Sequence, residues 1–311
     1  MNKPITIGTR GSELALFQAH RVRDALSARH PGLPIEIMII KTKGDKILDV
    51  ALSKIGDKGL FTKELETELY KNTIDVAVHS LKDLPTQFPE GLCLGGVLER
   101  GEFRDALVHV SGKKFLELDD HDVIATSSLR RRAQLLRHNP DFNIVDIRGN
   151  VNTRLKKMNN GHCTAMIMAA AGLQRLGLGH LITEVLNPEE FIPAVSQGAI
   201  AMEIRENDPY IAETLKTITH EPTLIAVTAE RIFLRMLEGG CQVPIGCFTE
   251  VTSSHFRIKG FVSSLNASEE IQDELTGKPD EGDRLAAKLA TSFIERGSKQ
   301  ILEAIRKNNA S

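Results

Sequence analysis

The chain has 311 residues, of which 41% are hydrophobic and 26% charged, so it is long enough for two or three domains. Its 39 basic and 41 acidic residues nearly cancel, and it has no tryptophan and only 5% aromatic residues. Neither overall charge nor aromatic stacking therefore favours nucleic acid as a partner. The absence of a run of about 18 apolar residues argues against a membrane span.

The amino terminus and the cysteines suggest where the protein works. Met1-Asn2-Lys3-Pro4 leads into a strand-like segment rather than an apolar signal region, so we expect a cytoplasmic protein. The cysteines show neither CxxC spacing nor the density of a disulfide scaffold, which predicts reduced thiols and no cysteine-built metal site. They are Cys93, Cys163, Cys241 and Cys247.

The first predicted strand, Ile5–Ile7, ends in a loop suited to an anion. The loop Gly8-Thr9-Arg10-Gly11-Ser12 precedes a predicted helix over Glu13–Ala28, with Ser12 as its N-cap. Backbone N–H groups at a helix start favour negative charge, and Arg10 adds a fixed positive charge. A tight turn with an exposed arginine is the alternative interpretation.

A buried-type strand is predicted over Ile35–Ile40, and the segment Lys41–Leu60 after it is basic and rich in glycine. Its length and composition are typical of a lid or of a disordered connection. One hypothesis is a flap that closes over an anionic ligand, and the other is a solvated basic loop. Its lysines are Lys41, Lys43, Lys46, Lys54 and Lys58.

A helix over Thr62–Lys71 and a strand over Ile74–Val78 are predicted to lead into His79-Ser80-Leu81-Lys82-Asp83-Leu84-Pro85. Ligands of open α/β sheets bind beyond the carboxyl ends of strands, which is where Lys82 and Asp83 fall. A carboxylate among cations there can stabilise developing positive charge or move a proton. A lysine and an aspartate that merely neutralise each other are the alternative.

Arginine accumulates in the middle of the chain. The stretch Gly91–Arg104 predicts a crossing into a second lobe, and strands are predicted over Ala106–Val110 and Val123–Thr126. Ser127-Ser128 then caps a helix that begins Leu129-Arg130-Arg131-Arg132. Positive charge in a first helical turn costs about 0.3–1 kcal/mol per residue. The arrangement therefore favours anion binding over a solvated charge run.

The pattern of strand, turn and arginine-bearing helix then repeats. Strand Phe142–Ile147 leads to Arg148 and a helix with Arg154, and strand Thr164–Met168 leads to a short helix with Arg175. Because ligands of open α/β sheets bind beyond the strand ends, we expect Arg130, Arg131, Arg148 and Arg154 to share one sheet edge and to bind several carboxylates or phosphates there.

A return crossing and a smaller α+β region complete the predicted architecture. Ser196-Gln197-Gly198-Ala199 interrupts the pattern and forms a hinge together with the outward crossing. From about Thr217, the chain is predicted to contain antiparallel strands and amphipathic helices. These strands are Cys247–Thr252 and Phe256–Ser263, and the helices are Pro279–Glu295 and Lys299–Lys307.

Cys241 stands on a turn that the sequence shapes closely. A helix is predicted over Pro222–Leu237, Gly239 and Gly240 supply the left-handed backbone that ends helices, and Pro244 prevents continuation. A helix C-terminus disfavours a thiolate, so a bond made once and kept fits better than a nucleophile of every turnover. A small buried thiol is the alternative interpretation.

Six separated motifs, in this order, resemble those of the porphobilinogen deaminase (hydroxymethylbilane synthase) family over about residues 5 to 250. Any one of them alone would be a weak indication. The motifs are Arg10-Gly11-Ser12, His79-Ser80-Leu81-Lys82-Asp83-Leu84-Pro85, Thr126-Ser127-Ser128-Leu129-Arg130-Arg131, Arg148-Gly149-Asn150-Val151-Asn152-Thr153-Arg154, Gln197-Gly198-Ala199 and Gly239-Gly240-Cys241-Gln242-Val243-Pro244-Ile245-Gly246.

The resemblance implies an α/β fold with two lobes similar to type II periplasmic binding proteins, joined by hinge crossings, and a smaller α+β C-terminal domain. Domain 1 would comprise residues 1–98 and 195–216, domain 2 residues 99–194 and domain 3 residues 217–311. The resemblance also implies a monomer.

The activity that the resemblance implies is the head-to-tail condensation of four porphobilinogen molecules, with release of ammonia, into hydroxymethylbilane. It implies a dipyrromethane cofactor tied to Cys241 by a thioether, Asp83 as the catalytic residue and no metal. The implied cofactor-binding residues are Lys82, Ser128, Arg130 and Arg131. The implied substrate-binding residues are Arg10, Ser12, Arg148, Arg154, Arg175 and Gln197, and Lys54 and Lys58 would belong to the mobile loop of domain 1.

Two other functions are weighed against this one. A non-catalytic two-lobed protein could capture a small organic anion, but the missing signal region and the shaped turn at Cys241 argue against it. A nucleic-acid binder built on Arg130-Arg131-Arg132 is disfavoured by the near-neutral charge and the scarcity of aromatic residues.

Overall fold

The computed structural model describes residues 4–46, 60–237 and 243–310, which divide into two compact units. The first unit holds the described residues up to Gly101 together with Gly198–Leu224, and the second holds Glu102–Gln197 and the described residues from Ile225 onward. The chain thus passes into the second unit after Gly101, returns after Gln197, and passes again after Leu224.

The first unit opens with alternating strands and helices. Its first helix begins as predicted, because Ser12 Oγ accepts a hydrogen bond from Ala15 N at 3.3 Å. The elements are β1 (Ile5–Thr9), α1 (Glu13–Arg29), β2 (Ile35–Ile39), α2 (Lys43–Lys46), α3 (Lys63–Tyr70), β3 (Val76–Ser80), a 3-10 turn (Leu81–Asp83) and β4 (Leu92–Val97).

The second unit repeats this alternation. Its strands are short and its helices carry the arginines that the sequence singled out. The elements are β5 (Asp105–His109), β6 (Val123–Ala125), α4 (Leu129–His138), β7 (Asn143–Val145), α5 (Val151–Asn159), β8 (Ala165–Ala169), α6 (Ala170–Arg175) and β9 (Glu184–Val185).

The remaining elements return to the first unit and then complete the second. Strand β10 (Ile200–Arg205) and helix α7 (Pro209–Lys216) belong to the first unit. Helix α8 (Glu221–Met236) begins there and continues into the second. The last elements are β11 (Ile245–Val251), β12 (Phe256–Ser263), β13 (Glu270–Gly277), α9 (Gly282–Glu295) and α10 (Ser298–Ala310).

Two five-stranded sheets share one plan. Their strand orders are β2-β1-β3-β10-β4 and β7-β6-β8-β5-β9. In each sheet the first three strands are parallel and the fourth is antiparallel to both of its neighbours. A smaller antiparallel sheet, β11-β12-β13, accompanies the second one. This confirms the predicted class, two similar α/β lobes with a smaller α+β part.

Each sheet is anchored by its own apolar core. In the first unit, Ile5, Ile7 and Val76 of the sheet pack with Val22 and Leu26 of α1, all fully buried. Burial of each such side chain contributes about 1.5–3 kcal/mol. Around the three-stranded sheet, the rings of Phe233 and Phe293 meet edge to face with centroids 5.1 Å apart. These cores fix the strand ends on which the candidate residues stand.

Candidate active site

In the first unit, the candidate residues lie beyond the carboxyl ends of two neighbouring strands. Strands β1 and β3 are parallel partners, so they end at the same edge of the sheet. Arg10 and Ser12 follow β1, and Lys82 and Asp83 follow β3. The structure therefore brings these two predicted sets to one sheet edge.

Asp83 ends a 3-10 turn that is anchored to the sheet through its backbone. Leu81, the first residue of the turn, is fully buried, and its N–H donates to Ala199 O at 3.0 Å. At the end of β3, Ser80 Oγ accepts from Gln18 Nε2 at 2.8 Å. Asp83 itself is exposed, and its carboxylate makes no hydrogen bond or ion pair with another described residue. The carboxylate is thus held in place yet remains available to a ligand.

Arg10 and Lys82 place positive charge at the same sheet edge as Asp83. The guanidinium carbon of Arg10 lies 4.1 Å from the ring centroid of Phe61, a cation–π contact that restricts the side chain. Both basic residues are half-buried. The Ser12 hydroxyl caps α1 as an acceptor and keeps its own proton for a further bond.

In the second unit, three parallel strands end at one edge and each is followed by a helix. The exits of β6 and β7 are joined by Ser127 Oγ, which donates to Ile147 O at 2.9 Å and accepts from Ile147 N at 3.0 Å. Ser128 Oγ accepts from Arg131 N at 3.4 Å and caps α4, as predicted. The cap places Arg130 and Arg131 in the first turn of that helix.

Arg130 and Arg131 share one buried carboxylate, that of Asp105 on β5. Arg130 Nη1 donates to Asp105 Oδ2 at 2.7 Å, and Arg131 Nη2 and Nε donate to Oδ1 at 2.7 and 3.1 Å. Each guanidinium is also tied to the main chain, Arg130 Nη1 to Ile192 O at 2.6 Å and Arg131 Nη1 to Ile167 O at 2.9 Å. The two arginines are therefore rigid.

Asp105 remains ionised although it is fully buried. Burial raises its pKa, but the charges of Arg130 and Arg131 and their hydrogen bonds outweigh burial and hold that pKa well below its ordinary value. Gln197 Nε2 adds a bond to Asp105 Oδ1 at 2.9 Å, and the same nitrogen donates to Phe103 O at 2.9 Å. Two guanidinium charges and one carboxylate leave the cluster with a net positive charge.

Arg130 retains donors for a further anion. Its side chain is only 3% exposed, and both of its hydrogen bonds use Nη1. Its Nε and Nη2 make no hydrogen bond to a described residue. Since these two nitrogens form one edge of the planar guanidinium fork, they suit the two oxygens of a ligand carboxylate.

The exit of β7 is shaped by glycine. Gly149 has φ +117°, and a Cβ there would lie 2.6 Å from Thr153 Cγ2, so only glycine fits without strain. Asn150 Oδ1 caps α5 by accepting from Thr153 N at 2.9 Å, and Arg154 Nε donates to Gly149 O at 2.8 Å. Arg148 and Arg154 thus flank one tight turn, and both are half-buried.

Arg175 is half-buried at the end of α6, the helix that follows β8. With Arg148 and Arg154 it makes three arginines after two parallel strands, β7 and β8, which flank β6 in the sheet. Such a set can bind several carboxylates at once. The predicted grouping of arginines along this edge is therefore present in the fold.

Three predicted residues lie outside the described part of the chain. They are Cys241, Lys54 and Lys58. Around Cys241, the structure describes the helix that ends at Met236 and the strand that starts at Ile245, close to the predicted bounds.

Asp105 and Glu203 are two buried carboxylates that the sequence analysis missed. Glu203 Oε2 lies 2.9 Å from Nε2 of His79, and this pair joins β10 to β3 just before the turn with Asp83. A lone carboxylate at the head of an apolar strand, as Asp105 is before Ala106, needs a cationic partner when buried. That is the one sequence signal that points to it.

No group of three or more histidine, cysteine, aspartate or glutamate side chains suited to a metal ion occurs among residues 4–46, 60–237 and 243–310. Within the same ranges, the helices are all too short or too polar to cross a bilayer. The chemistry available at the two sheet edges is anion binding by arginine and lysine, and charge stabilisation or proton transfer by one exposed carboxylate.

Two family profiles together match most of the chain. Residues 5–213 match a family profile described as "Porphobilinogen deaminase, dipyromethane cofactor binding domain", and residues 224–295 match "Porphobilinogen deaminase, C-terminal domain". A protein of Carboxydothermus hydrogenoformans named porphobilinogen deaminase is 48% identical over 308 residues, 99% of each chain. One of the same name from Synechococcus sp. is 49% identical over 304 residues, 97% of this chain and 96% of its own.

The solved structures to which the chain is similar are distant in sequence. One is described as the probable amino-acid ABC transporter extracellular-binding protein ytmK from Bacillus subtilis. It is 14% identical, with a TM-score of 0.42 over 72% of this chain and 95% of its own. Another, a TRAP periplasmic solute binding protein from Pseudomonas aeruginosa with bound L-malate, is 14% identical, with a TM-score of 0.38 over 74% of this chain and 86% of its own.

Proposed function

This chain belongs to the porphobilinogen deaminase family, and from that premise we propose which of its residues carry each part of the reaction. It is a transferase of tetrapyrrole synthesis. It joins four porphobilinogen molecules head to tail, with loss of ammonia, on a dipyrromethane primer and yields hydroxymethylbilane. A non-catalytic binding protein for an organic anion is not favoured, because relatives that match nearly the whole chain are named deaminases.

The described residues fit a dipyrromethane group. Each of its rings carries two carboxylates, and Arg130 offers two donor nitrogens, Nε and Nη2, that bond to no described residue, within a buried, net positive cluster. We assign Lys82, Ser128, Arg130 and Arg131 to these carboxylates, with Cys241 as the thioether anchor. When bound, the group supplies the electron-rich pyrrole carbon at which the chain grows. A thioether that forms once needs no depressed cysteine pKa.

Asp83 stabilises the positive charge that develops in each condensation and accepts the proton that is released. Positive charge develops on the pyrrole ring of porphobilinogen as ammonia leaves, and a fixed carboxylate stabilises it as it forms. Asp83 suits this role because its turn is anchored by the bond from Leu81 N to Ala199 O while its own oxygens stay exposed. The same oxygens can accept the proton released when the new carbon–carbon bond is made.

The remaining basic groups hold the acetate and propionate of the substrate. Two like charges 4 Å apart repel by about 1 kcal/mol in water and by about 4 kcal/mol near a protein surface. A lengthening pyrrole chain therefore needs several cations to neutralise its carboxylates. We assign this role to Arg10, Ser12, Arg148, Arg154 and Arg175, with Gln197 beside them. The hydrogen bond from Gln197 to Asp105 links this set to the arginine pair.

We also propose that the protein has three domains, is a monomer and lies in the cytoplasm. The domains are residues 1–98 with 195–216, 99–194 and 217–311, a division that the three separate sheets support. The described cysteines form no disulfide, which supports a reducing compartment. Sedimentation at the mass of one chain would support a monomer, and a stable dimer would refute it.

The observation that carries the proposal is the exposed, backbone-anchored carboxylate of Asp83 at a sheet edge with Lys82, in a chain that matches the family from end to end. We expect Asp83→Asn to lower kcat by about 100-fold or more, since a transition-state charge loses its partner. Stability should change by less than about 0.5 kcal/mol because the side chain is exposed.

The matched control is Asp24→Asn on α1, which removes an exposed carboxylate from the same unit but far from the strand ends. It should keep wild-type kcat. Wild-type turnover in Asp83→Asn would remove Asp83 from its assigned role.

A further inference from the structure

We propose that Asp105 is a positioning residue for cofactor binding: its buried carboxylate holds the guanidinium groups of Arg130 and Arg131 in the orientation that presents their remaining donors to the dipyrromethane carboxylates. This inference rests on the proposed function. Asp105 does not itself touch the ligand in this account, and it acts through the two arginines.

The first step is that the two oxygens of Asp105 bind different arginines. Oδ2 accepts a hydrogen bond from Nη1 of Arg130 at 2.7 Å, and Oδ1 accepts from Nη2 and Nε of Arg131 at 2.7 and 3.1 Å. Gln197 Nε2 donates to the same Oδ1 at 2.9 Å. One carboxylate thus fixes two consecutive side chains of α4, and the amide of Gln197 fixes the carboxylate.

The second step is that each guanidinium has a second fixed point, which removes its freedom to rotate. Arg130 Nη1 also donates to Ile192 O at 2.6 Å. That carbonyl is itself held, because Gln134 Nε2 donates to Ile192 O at 3.0 Å and Ile192 N donates to Gln134 Oε1 at 2.6 Å. With Nη1 bound twice, the Nε and Nη2 edge of Arg130 points in one set direction.

The third step is electrostatic. Arg130 is almost fully buried, and burial and the neighbouring charge of Arg131 lower its pKa while Asp105 opposes them. Without the carboxylate, two adjacent cations would lie in a poorly solvated place and would repel each other. Asp105 therefore stabilises the pair as well as orienting it. A useful test must separate these two contributions.

The test compares Asp105→Asn with a matched control, Asp122→Asn. Asp122 is a buried carboxylate of the same unit, it bonds to His109 at 2.8 Å and Lys113 at 2.9 Å, and its pKa is also held low. It touches neither Arg130 nor Arg131. Both substitutions keep the side-chain shape and remove a paired carboxylate charge, so Asp122→Asn controls for the general loss of such a charge.

Denaturing intact mass gives the fraction of chains that carry the cofactor, and kinetics give kcat per cofactor-bearing chain and KM. We expect Asp105→Asn to lose most of the adduct and the remainder to show about 10- to 100-fold lower kcat, as misplaced binding groups do. KM for porphobilinogen should change less than kcat, because the substrate arginines follow other strands, although Gln197 of the same set bonds to Asp105. Asp122→Asn should keep the adduct and wild-type kcat even at a similar loss in Tm.

Full adduct and wild-type kcat in Asp105→Asn would overturn the inference, as would an equal loss of adduct in Asp122→Asn. If Asp105→Asn does not fold, Asp105→Glu replaces it: the charge is kept but displaced by one methylene, so the expected result is a stable chain with lowered kcat, and wild-type kcat would overturn the inference. An unmodified wild-type chain would instead refute the proposed function, which separates the two failures.

Discussion

Arg130 and Asp83 present charge to a ligand in opposite ways. Arg130 is buried and fixed by side-chain and main-chain acceptors, so only one edge of its guanidinium remains usable. Asp83 is exposed, and the backbone of its turn alone fixes it. The buried, fixed guanidinium of Arg130 suits a carboxylate of a primer that stays bound. The exposed carboxylate of Asp83 suits a positive charge whose position changes as the pyrrole chain grows.

Gly149 is the residue on which the Arg148 turn depends. We expect Gly149→Ala to lower the free energy of unfolding by about 1–3 kcal/mol, because it forces a side chain into a positive-φ conformation and drives its Cβ to 2.6 Å from Thr153 Cγ2. Thr153 N–H is bonded to the α5 cap, Asn150, so the turn should shift and KM should rise. Chemical denaturation and steady-state kinetics measure both effects.

Gly112→Ala is the control for this prediction. Gly112 also has positive φ, +82°, but a Cβ there would meet nothing within 4 Å. It should cost only the backbone term, about 1 kcal/mol, with KM unchanged. Equal losses in the two variants would show that the contact with Thr153 is unimportant.

At this scale, the sequence predicted what depends on near neighbours. The caps Ser12 and Ser128 were predictable because the cap oxygen and the backbone N–H that donates to it lie three residues apart. Asp105 was missed because its partners lie 25 and 26 residues away. No local pattern specifies that pairing. It depends on the sheet order, in which β8 lies between β5, which carries Asp105, and β6, the strand that α4 follows.

Among the elements, helix α4 begins with an unfavourable charge pattern that the fold compensates. Three arginines in its first turn oppose the helix dipole. The Ser128 cap and the Asp105 carboxylate both act against that penalty. From the sequence we expected an external anion for these arginines, and the Asp105 carboxylate is an internal one.

The turn Asn187–Phe191 is tied to strand β12 by an ion network that predicts a pH dependence. Glu189 accepts from Arg257 Nη1 and Nη2 and from Lys259 Nζ, all at 2.7 Å. The pKa of Glu189 is lowered from 4.5 to about 2, and the hydrogen bonds from Arg257 are the largest cause. A lowered pKa adds stability that is complete above pH 4.5 and is lost as pH falls through about 2.

We therefore expect Glu189→Gln to destabilise the fold at neutral pH by about 1 kcal/mol, a value limited by the exposure of the pair. The difference from wild type should shrink as pH falls from about 5 toward 2. The measurement is the free energy of unfolding against pH. Glu190→Gln, an exposed neighbour, is the control variant, and a pH-independent difference for Glu189→Gln would contradict the assignment.

Several elements departed from the sequence analysis for physical reasons. Strand β2 was expected to be buried, but it is the edge of its sheet, where Met38 is 40% and Ile39 57% exposed. The stretch Gly91–Arg104 was expected to be a crossing, and the chain does pass to the second unit after Gly101, but the stretch also contains strand β4, where Gly95 and Gly96 serve close packing. A Cβ on Gly95 would lie 2.9 Å from Ile204 and Leu215 side chains.

Strand β13 was not predicted because Glu270–Gly277 is mostly polar. It is an edge strand, with Ile271 its one buried residue. Edge strands need one apolar face at most, so their composition resembles that of a loop. Sequence pattern therefore identified central strands better than edge strands in this chain.

For the whole molecule, the recurrence of one sheet plan explains why the sequence repeats its strand, turn and arginine pattern. Parallel strands in each five-stranded sheet end at a common edge, so any loop inserted there presents its side chains to the same place. Basic residues occupy these loops in both units, although the chain as a whole is nearly neutral. Local placement rather than net charge creates the anion sites.

The central claim is that a sulfur-bound pair of pyrrole rings serves as the primer of the reaction. Intact mass of the active enzyme under denaturing conditions tests it most directly, with Cys241→Ser as the control. The account predicts a wild-type chain heavier than its sequence by one dipyrromethane and a control at the unmodified mass. Fully active wild-type enzyme at the unmodified mass would contradict it.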